Sequence, residues 1–329
     1  MPKVSVIVPT FNRAHFLAET LQSVITQSFS DFEIMVIDDG STDNTAEIVS
    51  VFPVRYFCQN NQGAPAARNR GFELTESEYI VFLDSDDSLL PHALEKGVEI
   101  LDQHVEAGFS YGQAYLMDQG GRIFGLRKPR SPRASGLRSG LDEIRELVYG
   151  CRIPSPTVMV RRSSLEEVGV YDPSFNTGSQ DFDLWVRLAK KYSVGYIAEP
   201  LAKYRVHSNT ISGIRRREEV EQSNSRILDS IFSDPDIGPT FSKHRASAYS
   251  YLHFRMAMGA YSDQDMQAAR RYLLKTLKTY PAGLLSGEVL QWILLFFKTW
   301  IPLPILMRIR RSKHAIGIAI HHRKQSNLN

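Results

Sequence analysis

The sequence holds only two cysteines in 329 residues. Cys58 and Cys151 have no metal-ligand spacing and are too few for a disulfide framework, which sets aside zinc modules and stapled secreted scaffolds. Cys58 closes an apolar run and reads as a buried thiol. Excess charge is scarce as well. The formal net charge is +3, too small to imply nucleic acid as a partner. Low-complexity tracts are missing. No G-x-x-x-x-G-K-S/T occurs and no G-x-G-x-x-G follows a strand, so the common phosphate-loop and dinucleotide fingerprints are excluded. Long apolar runs are few. Met1–Pro9 is too short before its first polar turn to be a signal peptide and reads instead as a core strand, so a cytoplasmic chain is expected. A spanning helix needs about 20 apolar residues. Val289–Met307 approaches that length but is interrupted by Gln291, Lys298, Pro302 and Pro304.

The rest has a globular composition, 43% hydrophobic and 23% charged. Its length suits one large α/β domain with an appendage, or two ordinary domains. Val4–Val8 is a β-branched run broken only by Ser5, as expected of a parallel strand buried on both faces. His15–Gln27 follows with apolar residues at helical spacing. Phe32–Ile37 is a second buried strand, stopped by Asp38-Asp39-Gly40, and Ser41 and Thr42 lead into a helix expected over Asp43–Val49. Val54–Cys58 and Ala64–Leu74 suit a third strand and helix. Tyr79–Leu83 is a fourth strand, ending in Asp84-Ser85-Asp86-Asp87. This alternation predicts a doubly wound, mostly parallel sheet, which binds ligands beyond the carboxyl ends of its strands. The polar clusters Thr10-Phe11-Asn12, Asp38-Asp39 and Asp84-Ser85-Asp86 all fall at those ends. After about residue 210 the pattern turns helical, with an antiparallel pair expected over Thr240–Ala260 and Asp265–Thr279.

Asp84-Ser85-Asp86 carries the most chemistry. Mg²⁺ or Mn²⁺ prefers oxygen ligands and is usually held by one or two carboxylates plus substrate phosphates. An isolated D-x-D is as readily an ordinary acidic turn, so its neighbours decide. Three ordered segments share one character: Val4–Arg13, then Val36–Asp43, then Phe82–Asp87. With Gly63–Gly71 and with Gln180-Asp181-Phe182-Asp183-Leu184-Trp185-Val186-Arg187-Leu188, they resemble the family 2 glycosyltransferases over about residues 3–210.

The resemblance implies a GT-A fold, an inverting mechanism and a nucleotide-diphosphate sugar donor, most often a UDP-sugar. By position, Pro9, Thr10 and Phe11 would line the nucleobase pocket, and Asp39 would accept from the base. Arg68 would approach the base or phosphates. Asp84 would contact the ribose beside Ser85, and Asp86 would ligate the Mn²⁺ or Mg²⁺ that bridges the diphosphate. His207, in Tyr204-Arg205-Val206-His207, matches a histidine the family often uses near the diphosphate or metal. Asp181 matches the catalytic base, which inversion requires because the attacking hydroxyl must lose its proton. The family usually has Glu-Asp where this chain has Gln180-Asp181, and the same acids also suit a helix N-terminus. Processive members carry a Gln-x-x-Arg-Trp motif and several membrane helices. This chain has neither, so single-sugar transfer is expected.

Two further stretches stand out. Arg122–Arg138 holds six basic residues and no acid, and suits either a solvated mobile loop or a flap over phosphates. Val289–Met307 has tryptophans towards both ends and a basic cluster behind it, which fits a segment lying at a membrane surface or a helix packed on the appendage. The expected organisation is a GT-A domain over 1–210, a helical appendage over 211–285 and a membrane-proximal segment over 286–329. A glycan or lipid-linked acceptor would fit peripheral contact with the inner face of the cell membrane. The rival readings are a nucleotidyltransferase, which would want a Gly-rich basic loop after strand one, and an inactive sugar-nucleotide-binding protein.

Overall fold

The computed structural model describes residues 1–131, 133–175, 178–206 and 217–281. His207 and the 289–307 segment lie outside the described residues. The chain divides into two compact units, Met1–Ser242 and one beginning at Lys243.

The first unit is built on a 10-stranded sheet. Strand β1 (Val4–Thr10) is buried along its whole length. It pairs in parallel with β2 (Phe32–Asp38) on one side and β4 (Tyr79–Phe82) on the other, while β3 (Arg55–Cys58) pairs in parallel with β2 at the edge. Alternation along β1 divides its side chains between two layers. Val4, Val6 and Val8 share a core with Leu17, Leu21 and Val24 of α1 (Ala14–Ile25). Ile7 faces the opposite side, against α3 (Ala64–Glu73). Gly71 makes that approach possible, because a Cβ there would lie 2.3 Å from Ile7 Cγ2. Each aliphatic side chain buried in this way contributes about 1.5–3 kcal/mol. Cys58 departs from expectation: on an edge strand with little cover, its thiol is exposed.

The helix expected from Asp43 begins later, as α2 (Thr45–Ser50). Asp43 stays outside it and accepts hydrogen bonds from the Thr45 N–H and hydroxyl and from the Ala14 N–H. Burial opposes its charge slightly, but these bonds hold its carboxyl below the ordinary value.

The second half of the sheet is mixed. After β4 the order runs β9 (Met159–Arg161), β6 (Ala107–Met117), β10 (Ser193–Arg205), β5 (Ser88–Leu89). Strand β10 is parallel to β6, whereas β9 is antiparallel to both β4 and β6. Strands β7 (Ile123–Arg127) and β8 (Gly136–Arg138) add antiparallel to β6 and β10. Helices α4 (Ala93–Gln103), α5 (Gly140–Leu147), α6 (Arg162–Val168) and α7 (Gln180–Lys191) complete the layers.

The first unit also takes in α8 (Arg217–Phe232) and α9 (Gly238–Phe241), beyond the boundary read at residue 210. The reason is polar as well as apolar. Lys190 of α7 donates to the Ser230 carbonyl and pairs with Asp234, and Ser179 bonds Asn224. In the second unit, α10 (Arg245–Ser262) pairs with α11 (Met266–Thr279). Asp265 caps α11 by accepting from the Ala268 N–H at 2.9 Å, and Ser250 donates to the Thr276 carbonyl inside the pair. Among the described residues, no helix is long and apolar enough to cross a membrane.

Candidate active site at the strand carboxyl ends

The carboxyl ends of β1, β2 and β4 lie side by side, since Thr10 registers with Asp38 and Ile7 with Phe82. Pro9 and Thr10 are buried at the end of β1, and the Thr10 hydroxyl has no hydrogen-bond partner. Phe11 projects outward, 46% exposed. Asn12 takes a left-handed backbone with φ at 52°, and its side-chain oxygen accepts from the Thr42 N–H, which ties the first strand end to the second.

Asp38 and Asp39 divide their work. Asp38 is a turn residue, accepting from the Ser41 N–H and the Tyr56 hydroxyl. Asp39 is buried and reaches across to the loop before α3, accepting from Gln59 Nε2, Gln62 N and Gly63 N at 2.7–2.9 Å. Gly63 has φ at +90°, which a side chain would strain. Asp39 therefore shapes the loop before α3, with lone-pair capacity left over.

Arg68 projects from α3 into the interior. Its Nη2 donates to Asp84 Oδ1 at 2.5 Å and its guanidinium lies over the Tyr171 ring, 4.9 Å from the centroid. Its Nε and Nη1 are buried without partners. Burial works against this charge, but Asp84, Tyr171 and Asp181 together raise its pKa above the ordinary value. Next to Arg68, Asn69 holds Tyr171 by its backbone, donating to the carbonyl and accepting from the N–H. Tyr171 is fully buried. Burial first and the Asp181 charge second push its phenol well up.

The acidic turn after β4 is held from outside. Ser85 is buried and Asp87 N–H closes the turn on the Asp84 carbonyl. Arg205, at the end of β10, donates its N–H to Asp87 Oδ1 at 2.7 Å and its Nε to the Asp86 carbonyl at 2.8 Å. Its other nitrogens reach Glu19 and the carbonyls of Asp118 and Gln119, and it stacks on Phe16. Burial, then Asp86, then Asp84 push the Asp87 carboxyl well above the ordinary value.

Asp181 is the second residue of α7. Its Oδ2 accepts from the Ser155 hydroxyl at 2.8 Å, Oδ1 is buried without a well-formed hydrogen bond, and the Tyr171 phenol lies close to the same carboxylate. Beyond burial, the charges of Asp87, Asp84 and Asp181 raise the Tyr204 phenol while Arg127 lowers it, so the acidic turn and the head of α7 both lie near that ring. Tyr171, Ser155 and Arg205 escaped the sequence reading, although Arg205 lay inside a quoted motif and Ser155 between two prolines.

Among the described residues, no three His, Cys, Asp or Glu side chains form a metal-binding group. A divalent cation that uses substrate phosphates needs fewer protein ligands, and the clustered carboxylates of Asp84 and Asp86 suit one.

The basic stretch is not a free flap. Arg127 donates to the carbonyls of Cys151 and Arg152 and lies over Tyr204, and Arg130 donates to the Tyr149 carbonyl. Arg133 and Arg138 both pair with buried Glu143, which also accepts from the Tyr111 hydroxyl.

Comparison with known proteins agrees with this architecture. The family model described as Glycosyl transferase family 2 matches residues 5–169, half of the chain. An uncharacterized glycosyltransferase of Rickettsia felis is 33% identical over 212 residues, covering 63% of this chain and 34% of that protein. The chain thus spans about a third of the length of such Rickettsia relatives. A putative teichuronic acid biosynthesis glycosyltransferase of Bacillus subtilis, TuaG, is 32% identical over 220 residues, covering 64% of this chain and 82% of that protein. Among solved structures, S. aureus TarS in complex with UDP-GlcNAc superposes with a TM-score of 0.62 at 20% identity, covering 84% of this chain and 81% of that one. The mannosyltransferase PcManGT of Pyrobaculum calidifontis, in complex with GDP-Man and Mn²⁺, gives 0.56 at 18% identity, covering 91% and 85%. The fold is GT-A, and the chain belongs to glycosyl transferase family 2.

Proposed function

We propose that this chain transfers a single sugar from a nucleotide-diphosphate sugar to an acceptor hydroxyl, with inversion at the anomeric carbon. The observation that carries this reading is the placement of Asp181 at the head of α7, held by Ser155 and acting on the same Arg68 guanidinium and Tyr204 phenol as the Asp84 charge. Pro9, Thr10, Phe11, Asp39 and Ser85 would form the nucleoside end of the donor site. Arg68 has two spare nitrogens for the phosphates. Asp86, with Asp84 beside it and His207 as a further candidate, would hold Mn²⁺ or Mg²⁺, which when bound neutralises charge on the departing diphosphate. Asp181 Oδ1 receives the acceptor proton as the hydroxyl attacks.

A UDP-sugar is the favoured donor, supported by the UDP-GlcNAc complex of TarS, and the GDP-Man complex of PcManGT keeps guanine nucleotides in the test. A polysaccharide or lipid-linked acceptor is supported by the name of TuaG and by the basic, apolar composition of 286–329, which would also attach the chain to the cytoplasmic membrane face. Asp181→Asn tests the reading. It should lower turnover by about 10²–10⁴-fold, the range for losing a general base, and leave nucleotide binding intact. Equal turnover in the two forms would remove Asp181 from the chemistry.

A further inference from the structure

We propose that Ser155 is a positioning residue for the Asp181 carboxylate: its hydroxyl holds Oδ2 and thereby fixes the aim of Oδ1. The inference rests on the assignment of Asp181 as the base, and it concerns a residue that no motif or resemblance singled out.

An aspartate has two chemically equal oxygens and a soft terminal torsion, so by itself it offers either oxygen with no fixed aim. Here the oxygens are not equal. Oδ2 accepts from Ser155 Oγ at 2.8 Å, whereas Oδ1 is buried without a well-formed hydrogen bond, near the Tyr171 phenol. Leaving a carboxylate oxygen buried and unpaired is costly, and in native structures such an atom marks a site where something else binds or reacts.

The donor is itself rigidly held. Ser155 opens a single 3₁₀ turn, Ser155–Thr157, with Pro154 before it and Pro156 inside it, which fixes two φ angles. Thr157 ties that turn to β6: its hydroxyl accepts from the Gly112 N–H at 3.2 Å and has the Pro154 carbonyl at 2.8 Å and the Gly112 carbonyl at 3.1 Å to receive its one proton. The Thr157 N–H closes on the Pro154 carbonyl. Ser155 is thus a hydroxyl fixed to the sheet, reaching a carboxylate fixed to the head of α7. A base on one element is aimed by a donor on another, the arrangement that preorganises proton transfer.

The step balances without a further reagent. The acceptor O–H bond breaks and its proton goes to Asp181 Oδ1. The acceptor oxygen bonds the anomeric carbon, and the bond from that carbon to the diphosphate breaks, its electron pair leaving on the diphosphate. Ser155 keeps its own proton throughout and only holds Oδ2.

The test measures nucleotide release by the full-length chain with saturating Mn²⁺, using whichever UDP- or GDP-sugar the wild type turns over fastest. Water serves as acceptor and must also lose a proton. Ser155→Ala should lower kcat about tenfold, the equivalent of one hydrogen bond to a charged group at the low end of its range. Its donor KM and the thermal shift given by Mn²⁺ plus nucleotide should stay within about twofold of wild type. Ser155→Thr keeps the hydroxyl and should recover most of kcat. Ser155→Cys keeps the volume with a much weaker donor and should behave as Ser155→Ala, which covers the case in which alanine disturbs the turn. Wild-type kcat in Ser155→Ala and Ser155→Cys, with Asp181→Asn slow, would overturn the positioning role alone. If Asp181→Asn were as fast as wild type, the assignment of the base would fail first. Equal slowing in alanine, cysteine and threonine variants would assign the effect to packing and overturn the proposal.

Discussion

Asp84→Ala and Arg68→Met remove opposite halves of one ion pair, yet the structure sets very different costs for them. The side chain of Arg68 is 4% exposed and that of Asp84 is 35% exposed. Removing Asp84 strands a cation in the interior with two nitrogens already unpaired. Breaking a buried pair from one side costs about 3–5 kcal/mol. The Asp181 charge and the Tyr171 ring still favour the guanidinium, which places Asp84→Ala at the low end, about 3 kcal/mol. Arg68→Met leaves the other partner in contact with water and keeps an unbranched side chain over Tyr171, so its cost should be about 1 kcal/mol or less. For a unit of this size each kcal/mol moves the thermal midpoint by about 2–4 °C. The expected losses are therefore about 6–12 °C against about 4 °C at most. The double variant should recover most of the loss of Asp84→Ala, because the stranded charge is gone. Thermal unfolding of the four proteins, without ligand, decides it. A larger loss for Arg68→Met than for Asp84→Ala, or simple additivity in the double variant, would refute the burial argument.

Two further outcomes follow from the site and its supports. Asp86→Ala should abolish the extra thermal stability that Mn²⁺ plus nucleotide gives the wild type, a mass-action effect, while leaving the unliganded midpoint within a few degrees; an unchanged ligand shift would remove Asp86 from cation binding. Asp43→Asn should be less stable than wild type at neutral pH, and the gap should narrow on acidification. The sign follows from linkage: a depressed carboxyl contributes stability above its unfolded pKa near 3.9, lost as pH falls through the folded value. Urea midpoints measured from pH 7 down to pH 3 check it, and a gap that widened would contradict the bonding seen at Asp43.

Three strands of the parallel half were legible because each is an apolar run, broken only by Ser5 and Glu33, closed by polar residues at the same end. Val4–Thr10, Phe32–Asp38 and Tyr79–Phe82 announce themselves this way. The other half hides. Strand β10 carries Pro200 and register shifts on both sides of it, and β9 is three residues long, so neither sustains a period. At the site, the acids could be read because chemistry demands them at strand ends. Their holders could not. Ser155 lies 26 positions from Asp181, and Arg205 lies 119 from Asp86, so only the folded chain shows the pairing. The basic stretch misled for a related reason: its counter-charge, Glu143, sits on α5, outside the run that was counted.

The acidic turn is gripped by its main chain. Arg205 takes the carbonyl oxygen of Asp86, Thr20 takes that of Asp87, and the Asp87 N–H returns to the Asp84 carbonyl. None of these three bonds uses the Asp86 carboxylate. The shape of the turn is thereby insulated from whatever that carboxylate binds. If the chain turns over a nucleotide-diphosphate sugar as proposed, such separation lets a charged leaving group be exchanged at a fixed berth without the berth being rebuilt each time.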